Sequence, residues 1–255
     1  MKQQQIVIVG LGEVGQPLFN LVQAKHDQVF GVDLGKPAPI TQCDIMHVCF
    51  PFKDVDEFAT QVTAYIAQYQ PGLTIINSTV APGTTRRIAE QSGGAVVHSP
   101  VRGKHARMQE EMLQYVKFIG ALDPGSGARA VDHFQSIGLK TRLLSSPEAS
   151  EIAKLTETTY FGVLIAWAQE VERYCRTVGA DYDEVVAFYE EIKFFPPVKY
   201  TPGIIGGHCV MPNIDILLRQ FQSPLLKAIV QSNALKKGDL PEEFWLTPER
   251  AANQD

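Results

Sequence analysis

Short apolar runs alternate with amphipathic stretches over the first 145 residues of the chain. Runs rich in Val, Ile and Phe predict strands, and they lie at Gln5–Val9, Val29–Asp33, Ile45–Phe50, Thr74–Asn77, Ala95–His98, Val116–Gly120 and Thr141–Leu144. Apolar positions at helical spacing predict helices between them, at Val14–Ala24, Val55–Tyr69, Thr84–Gln91 and Gly127–Ile137. This alternation indicates an α/β fold, a doubly wound parallel sheet that helices cover on both faces.

The pattern changes at Ser146, after which no strand signal follows. Pro147 and Glu148 are typical of the first turn of a helix, which we predict to end at Gly179. Further helices are predicted at Asp181–Lys193, Asn213–Phe221 and Pro224–Lys236, with a loop rich in Pro and Gly at Phe194–Gly207. The chain should therefore hold an α/β domain over residues 1–145, a smaller all-helical domain over 146–237 and a flexible tail over 238–255.

Composition narrows the class of protein. The chain has 255 residues, 45% of them hydrophobic, and a net charge of -5, so it lacks the basic excess that attracts nucleic acid. No apolar run approaches the ~20 residues that span a bilayer, and no signal peptide begins the chain. We therefore expect a cytoplasmic protein that binds neither nucleic acid nor membrane.

The four cysteines are scattered and show no metal-ligand spacing, so we predict neither a metal site nor a disulfide framework. Cys43, Cys49 and Cys175 are interpreted as small buried apolar side chains. Cys209 differs, because it follows the glycines of a Gly-Gly-His-Cys segment and precedes a predicted helix. A thiol near a helix N-terminus is suited to form a reactive thiolate, although a structural role for this segment stays open.

A G-x-G-x-x-G motif at Gly10–Gly15 leaves the first predicted strand and enters a helix. This context is typical of a Rossmann-type dinucleotide site, in which the helix N-terminus receives the pyrophosphate. Asp33 ends the second strand, where a carboxylate accepts ribose hydroxyls and repels a 2′-phosphate, so NAD is favoured over NADP. The alternative is a glycine turn without a ligand.

Three further segments are candidates for chemistry. Lys154 lies in the first turns of the long helix, either as a solvated surface residue or as an acid–base group. Ser78 and Thr79 follow the fourth strand and either contact nicotinamide or substrate or cap the next helix. A loop after the fifth strand carries four basic side chains that either bind an anion or are simply solvated, namely Arg102, Lys104, His105 and Arg107.

Together these segments resemble the UDP-glucose/GDP-mannose 6-dehydrogenase family in sequence order, over roughly residues 6–236. The glycine motif Gly10–Gly15 matches, and Ser78–Thr85 resembles the family's S-T-v-x-P-G-T-T segment. Ser99–Arg102 is similar to S-P-E-R, Glu148–Tyr160 to the family's lysine helix, and Gly206–Cys209 to its G-G-H-C-x-P loop.

The resemblance implies a mechanism. In the family, the cysteine attacks an aldehyde formed by a first hydride transfer, the thiohemiacetal loses a second hydride to NAD, and water releases the acid. Carried over, Cys209 is the nucleophile and Lys154 stabilises the oxyanion or transfers protons. In the family an asparagine one turn after the lysine assists it, and an aspartate four residues after the cysteine helps to activate water.

The chain also departs from the family pattern. Val101 and His105 stand where the family has glutamates, and Ile204 stands where it has glycine. Thr158 replaces the asparagine, and Asn213 replaces the aspartate, so the residue that activates water is missing. Because the chain ends soon after the cysteine segment, we also expect it to lack the family's further α/β domain, which binds the nucleotide part of the substrate.

These patterns predict an NAD-dependent dehydrogenase that oxidises a primary alcohol or hydroxy acid, with sugar-derived anionic compounds among the candidates. Its alternatives are a non-catalytic module that binds NAD or a sugar nucleotide, and an enzyme like β-hydroxyacid dehydrogenases that uses Lys154 without Cys209. We expect a homodimer through the long helix, residues 148–178. Lys154 and Cys209 should both lie at the rim of the sheet, beside the nicotinamide.

The predicted catalytic residues are Cys209, Lys154, Thr158 and Asn213. The predicted cofactor-binding residues are Gly10, Leu11, Gly12, Glu13, Val14, Gly15, Asp33, Pro51, Ser78 and Thr79. The predicted substrate-binding residues are Arg102, Lys104, His105 and His208.

Overall fold

The structure is a computed structural model that describes residues 4–103, 107–192, 200–207 and 209–238. The predictions for Lys104, His105 and His208, for residues 193–199 and for the tail from residue 239 onwards lie outside the described residues. The chain divides into two compact units, Met1–Lys154 and Leu155–Asp255. The predicted domain boundaries after residues 145 and 237 stay predictions.

The first unit is built on a seven-stranded sheet with the strand order β2-β1-β3-β4-β5-β6-β7. Its strands are β1 (Ile6–Val9), β2 (Val29–Val32), β3 (Ile45–Val48), β4 (Leu73–Ile76), β5 (Val96–His98), β6 (Lys117–Ala121) and β7 (Thr141–Leu144). Its helices are α1 (Gly15–Gln23), α2 (Val55–Tyr69), α3 (Thr84–Ser92), α4 (Met108–Gln114) and α5 (Pro124–Ser136). The predicted α/β fold with a doubly wound sheet is confirmed.

One strand pair departs from the predicted parallel arrangement. Strand β6 runs antiparallel to β5, with Val97 opposite Ala121, whereas all other paired strands of the sheet are parallel. An apolar run predicts a strand but does not encode its direction, so the periodicity could not reveal this reversal. The short helix α4 between these strands was also not predicted.

Two apolar clusters enclose the sheet, one on each face. Strand β1 contributes Ile6 and Ile8 to one cluster and Val7 and Val9 to the other, so its four residues are all buried. This explains why the central strands read as continuous apolar runs rather than as alternating ones. The carboxyl ends of the parallel strands β1 to β5 then lie along one edge of the sheet.

The described part of the second unit contains helices and loops. The long helix α6 (Pro147–Val178) crosses the boundary between the units, and α7 (Tyr182–Glu190), α8 (Val210–Gln220) and α9 (Pro224–Gly238) follow it. Helix α8 begins three residues before the predicted start at Asn213. Pro212 falls in its first turn, where a backbone N–H has no helical partner and proline is tolerated. Within the described residues, no helix is both long and apolar enough to cross a membrane.

Candidate active site

The glycine loop between β1 and α1 has the geometry of a phosphate-binding turn. Gly10 has a φ of +88°, and its N–H donates to the Val32 carbonyl at 2.8 Å. A Cβ on Gly15 would lie 1.7 Å from the Gly10 carbonyl oxygen, so helix α1 can only start this close to β1 with glycine there. A Cβ on Gly12 would meet nothing within 4 Å, which leaves open space above the loop. An anion could approach the backbone at this point.

The other predicted cofactor residues lie at the same edge of the sheet. Asp33 follows β2 and is exposed, and its Oδ1 accepts the Leu34 N–H at 2.9 Å. Pro51 is exposed after β3, and Thr79 is half-buried after β4. Ser78 is buried, and its hydroxyl donates to the Phe50 carbonyl at 2.6 Å, so it joins the ends of β3 and β4.

A buried histidine that the sequence analysis did not single out connects β5 to α6. His98 Nε2 lies 3.1 Å from the Ser78 carbonyl oxygen, and Nδ1 lies 2.6 Å from Ser150 Oγ on α6. Burial lowers the pKa of His98 to about 3, so the ring is neutral and donates from Nε2 to the carbonyl. It thereby fixes the backbone of a predicted cofactor residue.

A second buried group, Lys117, lies at the carboxyl end of β5. Its ammonium donates to the Ser99 and Pro100 carbonyls at 2.6 and 3.1 Å and to Asn77 Oδ1 at 3.2 Å. Burial, with a contribution from the positive charge of Lys154, lowers the pKa of Lys117 to about 7. The one signal in the sequence was a lysine inside an otherwise apolar strand.

Lys154 is half-buried on α6, one turn after Ser150. Its positive charge adds to the effect of burial in lowering the pKa of both His98 and Lys117. The neighbouring Glu151, also missed from the sequence, anchors this turn of α6. Its buried carboxylate accepts the Gly83 N–H at 2.7 Å and both the N–H and the hydroxyl of Thr85, at 2.9 and 2.6 Å.

In the described part of the basic loop, Arg102 and Arg107 both contact other side chains of the protein. The Arg102 guanidinium lies 5.4 Å from the centre of the Tyr115 ring and 5.6 Å from that of Phe118. Arg107 is exposed and pairs with Glu111 of α4 at 3.2 Å. Stacking holds the Arg102 side chain in place while its planar cation keeps the capacity to bind an anion.

In the second unit, the structure brings three predicted catalytic residues together. Cys209 is exposed at the N-cap of α8, whereas Cys43, Cys49 and Cys175 are buried as predicted. The Asn213 N–H donates to the Cys209 carbonyl at 3.1 Å, and Asn213 Nδ2 donates to Thr158 Oγ1 at 2.5 Å. Both side chains of this pair are neutral, so neither is a general base.

The described residues contain no group of three His, Cys, Asp or Glu side chains that could hold a metal ion. The described residues include the glycine loop and Lys154 in the first unit and the exposed Cys209 in the second. Each belongs to the repertoire of enzymes that act through an organic cofactor.

Comparisons with known proteins relate part of this chain to a family of dehydrogenases. Residues 148–235 match the model of the UDP-glucose/GDP-mannose dehydrogenase family, central domain. The chain is 25% identical over 193 residues, 74% of its length, to a UDP-N-acetyl-D-mannosamine dehydrogenase from Methanocaldococcus jannaschii, of which it covers 44%. The chain spans about half the length of the curated relatives that it matches.

Solved structures share the fold. A UDP-D-ManNAc dehydrogenase from Pyrococcus horikoshii superposes with a TM-score of 0.80 at 20% identity, over 92% of this chain and 69% of that one. A 3-hydroxyisobutyrate dehydrogenase from Mycobacterium tuberculosis superposes with a TM-score of 0.71 at 18% identity, over 93% and 94%. The resemblance seen in the sequence motifs is therefore confirmed, with residues 148–235 matching the central domain of the UDP-glucose/GDP-mannose dehydrogenase family.

Proposed function

We propose that this protein is an NAD-dependent dehydrogenase that oxidises a CH–OH group of a small anionic substrate through the thiol of Cys209. The observation that carries this proposal is the exposure of Cys209 at the N-cap of α8, when the other three cysteines are buried. A helix N-terminus favours the thiolate, which is the nucleophilic form of cysteine. The relatives named as nucleotide-sugar dehydrogenases support the same reaction class.

The cofactor assignment rests on the glycine loop. The open space at Gly12 and the N-terminus of α1 fit a pyrophosphate, and the exposed carboxylate of Asp33 fits the two hydroxyls of an adenosine ribose. The same carboxylate would repel a 2′-phosphate, which favours NAD over NADP. When bound, NAD supplies the hydride acceptor.

In this proposal, Cys209 and Lys154 have separate roles in the steps after the aldehyde has formed. The thiolate adds to an aldehyde carbonyl, and the Lys154 ammonium stabilises the negative charge that develops on the carbonyl oxygen. The addition gives a thiohemiacetal, and its hydride would have to pass to NAD to leave a thioester on Cys209. Water would then be needed to release the acid from that thioester. With Asn213 and Thr158 paired as neutral groups, no base is provided at that position, so we propose that this hydrolysis limits turnover.

The substrate class follows from Arg102 and from the relatives. A guanidinium held over two aromatic rings suits a carboxylate or phosphate. Because the relatives are named for UDP-N-acetyl-D-mannosamine and NDP-N-acetyl-D-galactosaminuronic acid, nucleotide sugars head the list of substrates to test. Small hydroxy acids come next.

The partner in solution is proposed to be a second copy of this chain. Tyr160, Trp167 and Tyr174 are 52%, 53% and 56% exposed and follow one another at intervals of seven residues along α6. Such spacing places them on one face of the helix, where two copies could bury them against each other.

The experiment is a substrate panel with NAD, read as NADH formed and as aldehyde or acid produced. We expect NADH with at least one nucleotide sugar or hydroxy acid, and no acid from Cys209→Ser. Turnover that survives Cys209→Ala would favour the enzyme class that uses Lys154 alone. Tight NAD binding with no NADH from any compound would favour a binding module.

A further inference from the structure

The loop before Cys209 is held in place by amide side chains from two helices. Gln169 of α6 donates from Nε2 to the Gly203 carbonyl at 2.7 Å. Asn233 of α9 accepts the Ile205 N–H at 2.8 Å through Oδ1 and donates to the Ile205 carbonyl at 3.0 Å through Nδ2. The Asn233 amide thus pairs with both backbone groups of one residue, as a neighbouring strand would.

Both amides are buried and oriented. Gln169 is fully buried, and Asn233 is 1% exposed. Ser232 donates its hydroxyl to Gln169 Oε1 at 2.9 Å, and Arg173 donates to Ser232 Oγ at 2.7 Å. With Oε1 engaged, the Gln169 amide can turn only its Nε2 towards the loop. A buried amide with partners on both atoms holds its position, because moving it leaves polar groups unpaired.

The stretch between Ile205 and the thiol of Cys209 is short. Only three residues separate Ile205 from Cys209, and two of them are glycines, of which Gly207 has a φ of +73°. Glycine restricts the backbone least of all residues. On the other side of the thiol, Asn213 ties the first turn of α8 to Thr158 of α6. The backbone of Cys209 is therefore anchored both before and after the thiol.

We infer that Asn233 and Gln169 are positioning residues for Cys209, which hold the thiol at the N-terminus of α8 in the geometry that the reaction needs. This inference rests on the proposed function, since it assumes that Cys209 is the nucleophile. A group displaced by about 1 Å can cost two orders of magnitude in rate. Loss of one anchor should therefore reduce kcat more than it changes KM.

The test uses the complete chain and the rate of alkylation by iodoacetamide as a function of pH. Because the other three cysteines are buried, native alkylation reports Cys209, and mass spectrometry of the peptide confirms the site. The wild-type midpoint should lie below about 8.5, the value for a free thiol. Asn233→Ala and Gln169→Met should move that midpoint upwards and lower kcat by about tenfold or more, with KM changed less than about twofold.

Leu226→Ala is the matched control, because it truncates a buried side chain two turns before Asn233 on the same helix. It should lower thermal stability and leave the alkylation midpoint unchanged. If Asn233→Ala does not fold, Asn233→Asp replaces it, since it keeps the acceptor for the Ile205 N–H and loses the donor.

The alkylation midpoints distinguish the positioning role of Asn233 and Gln169 from the proposed role of Cys209 as nucleophile. A wild-type midpoint near that of a free thiol would overturn both, since Cys209 would not be activated. A lowered wild-type midpoint that stays unchanged in Asn233 and Gln169 variants would overturn the positioning role alone.

Discussion

A chain of hydrogen bonds runs through the first unit from Lys117 to a buried histidine. Lys117 donates to Asn77, whose Nδ2 donates to His47 Nδ1 at 3.1 Å. The His47 proton therefore sits on Nε2, which faces His133 Nε2 at 2.8 Å. His133 Nδ1 has no partner among the described residues. This order requires both histidines to be neutral, because a second proton on either would set two donors against each other.

Lowering the pH below 6.5 should therefore reduce the stability of the folded protein. Burial lowers the pKa of His98 and of His133 to about 3, the latter with a contribution from the charge of His26, against 6.5 in the unfolded chain. Below pH 6.5 the unfolded state binds protons that the folded state does not, so the free energy of unfolding decreases as the pH is lowered. At pH 5 the loss is roughly 2 kcal/mol for each histidine.

Urea unfolding at pH 7.5 and pH 5 measures this loss. His133→Phe should lose about 2 kcal/mol less than the wild type between these values, because one titrating group has been removed. Equal unfolding free energies of the wild type at the two pH values would contradict the neutral assignment.

Lys117 extends the same trend to the alkaline side, because its pKa is also lowered in the folded state. Its folded pKa of about 7 lies below the 10.5 of the unfolded chain, so the unfolded state binds more protons between these values. Stability should therefore rise with pH, by about 2 kcal/mol from pH 7 to pH 8.5. The window stops there because Cys43 and Cys49, with pKa values raised by burial to about 12 from 9.0, reverse the trend above pH 9.

Comparison with Lys117→Met isolates this contribution. The variant should show a flat unfolding free energy over the same interval, because the methionine does not titrate. A rise of the same size in both proteins would assign the trend to another group.

The pair of Asn213 and Thr158 makes a prediction about the slow step. Asn213→Asp introduces a carboxylate that can accept a proton from water, so acid formation should accelerate by about tenfold or more. Rapid-quench analysis with mass spectrometry should also find less acyl group on Cys209. Asn213→Ser, which shortens the side chain without adding a base, is the control. An unchanged rate in Asn213→Asp would show that water activation is not limiting.

At the scale of elements, helix α6 carries the proposed contact between two copies. Replacing Trp167 by Glu places a charge in the middle of the exposed stripe of Tyr160, Trp167 and Tyr174, where burial against a second copy would be costly. Trp167→Glu should give a monomer in light scattering at concentrations at which the wild type is a dimer. Gln231→Glu, the same added charge at an exposed position of α9, should leave the dimer intact. A wild type that is monomeric at these concentrations would contradict the proposal.

The elements that the sequence predicted well are those in which local pattern and burial agree. Strands such as Ile45–Val48 lie within two residues of the prediction, because both faces are buried and the apolar run ends where the strand does. The direction of β6 was not predictable, since it depends on the path of the connection from β5 to β6. The residues within the strand do not encode that path. The early start of α8 was missed, and Pro212 lies within its first turn.

Among the residues of the candidate site, too, those with a local sequence signal were predicted and those without one were missed. Motifs revealed the glycine loop and Cys209, because glycine spacing and a thiol after a flexible loop carry chemical meaning by themselves. Lys117, Glu151 and Asn233 were missed, because each acts through contacts with residues that are distant in sequence. Only folding reveals that these polar side chains are buried and paired.

At the scale of the whole molecule, the residues named in the proposed function are divided between the two compact units. The glycine loop, Asp33 and Lys154 belong to the first unit, and Cys209 with its anchors belongs to the second. Relatives that are about twice as long share this part of the chain. In the proposed function, Arg102 of the first unit binds the anionic group of the substrate.

The most direct measurement is the stoichiometry of NADH to acid in the wild type and in Cys209→Ser, with the substrate that the panel identifies. A covalent route through the thiol predicts two NADH for each acid in the wild type, and no acid from Cys209→Ser although the variant still binds NAD. Acid formation by Cys209→Ser at the wild-type rate would contradict the account.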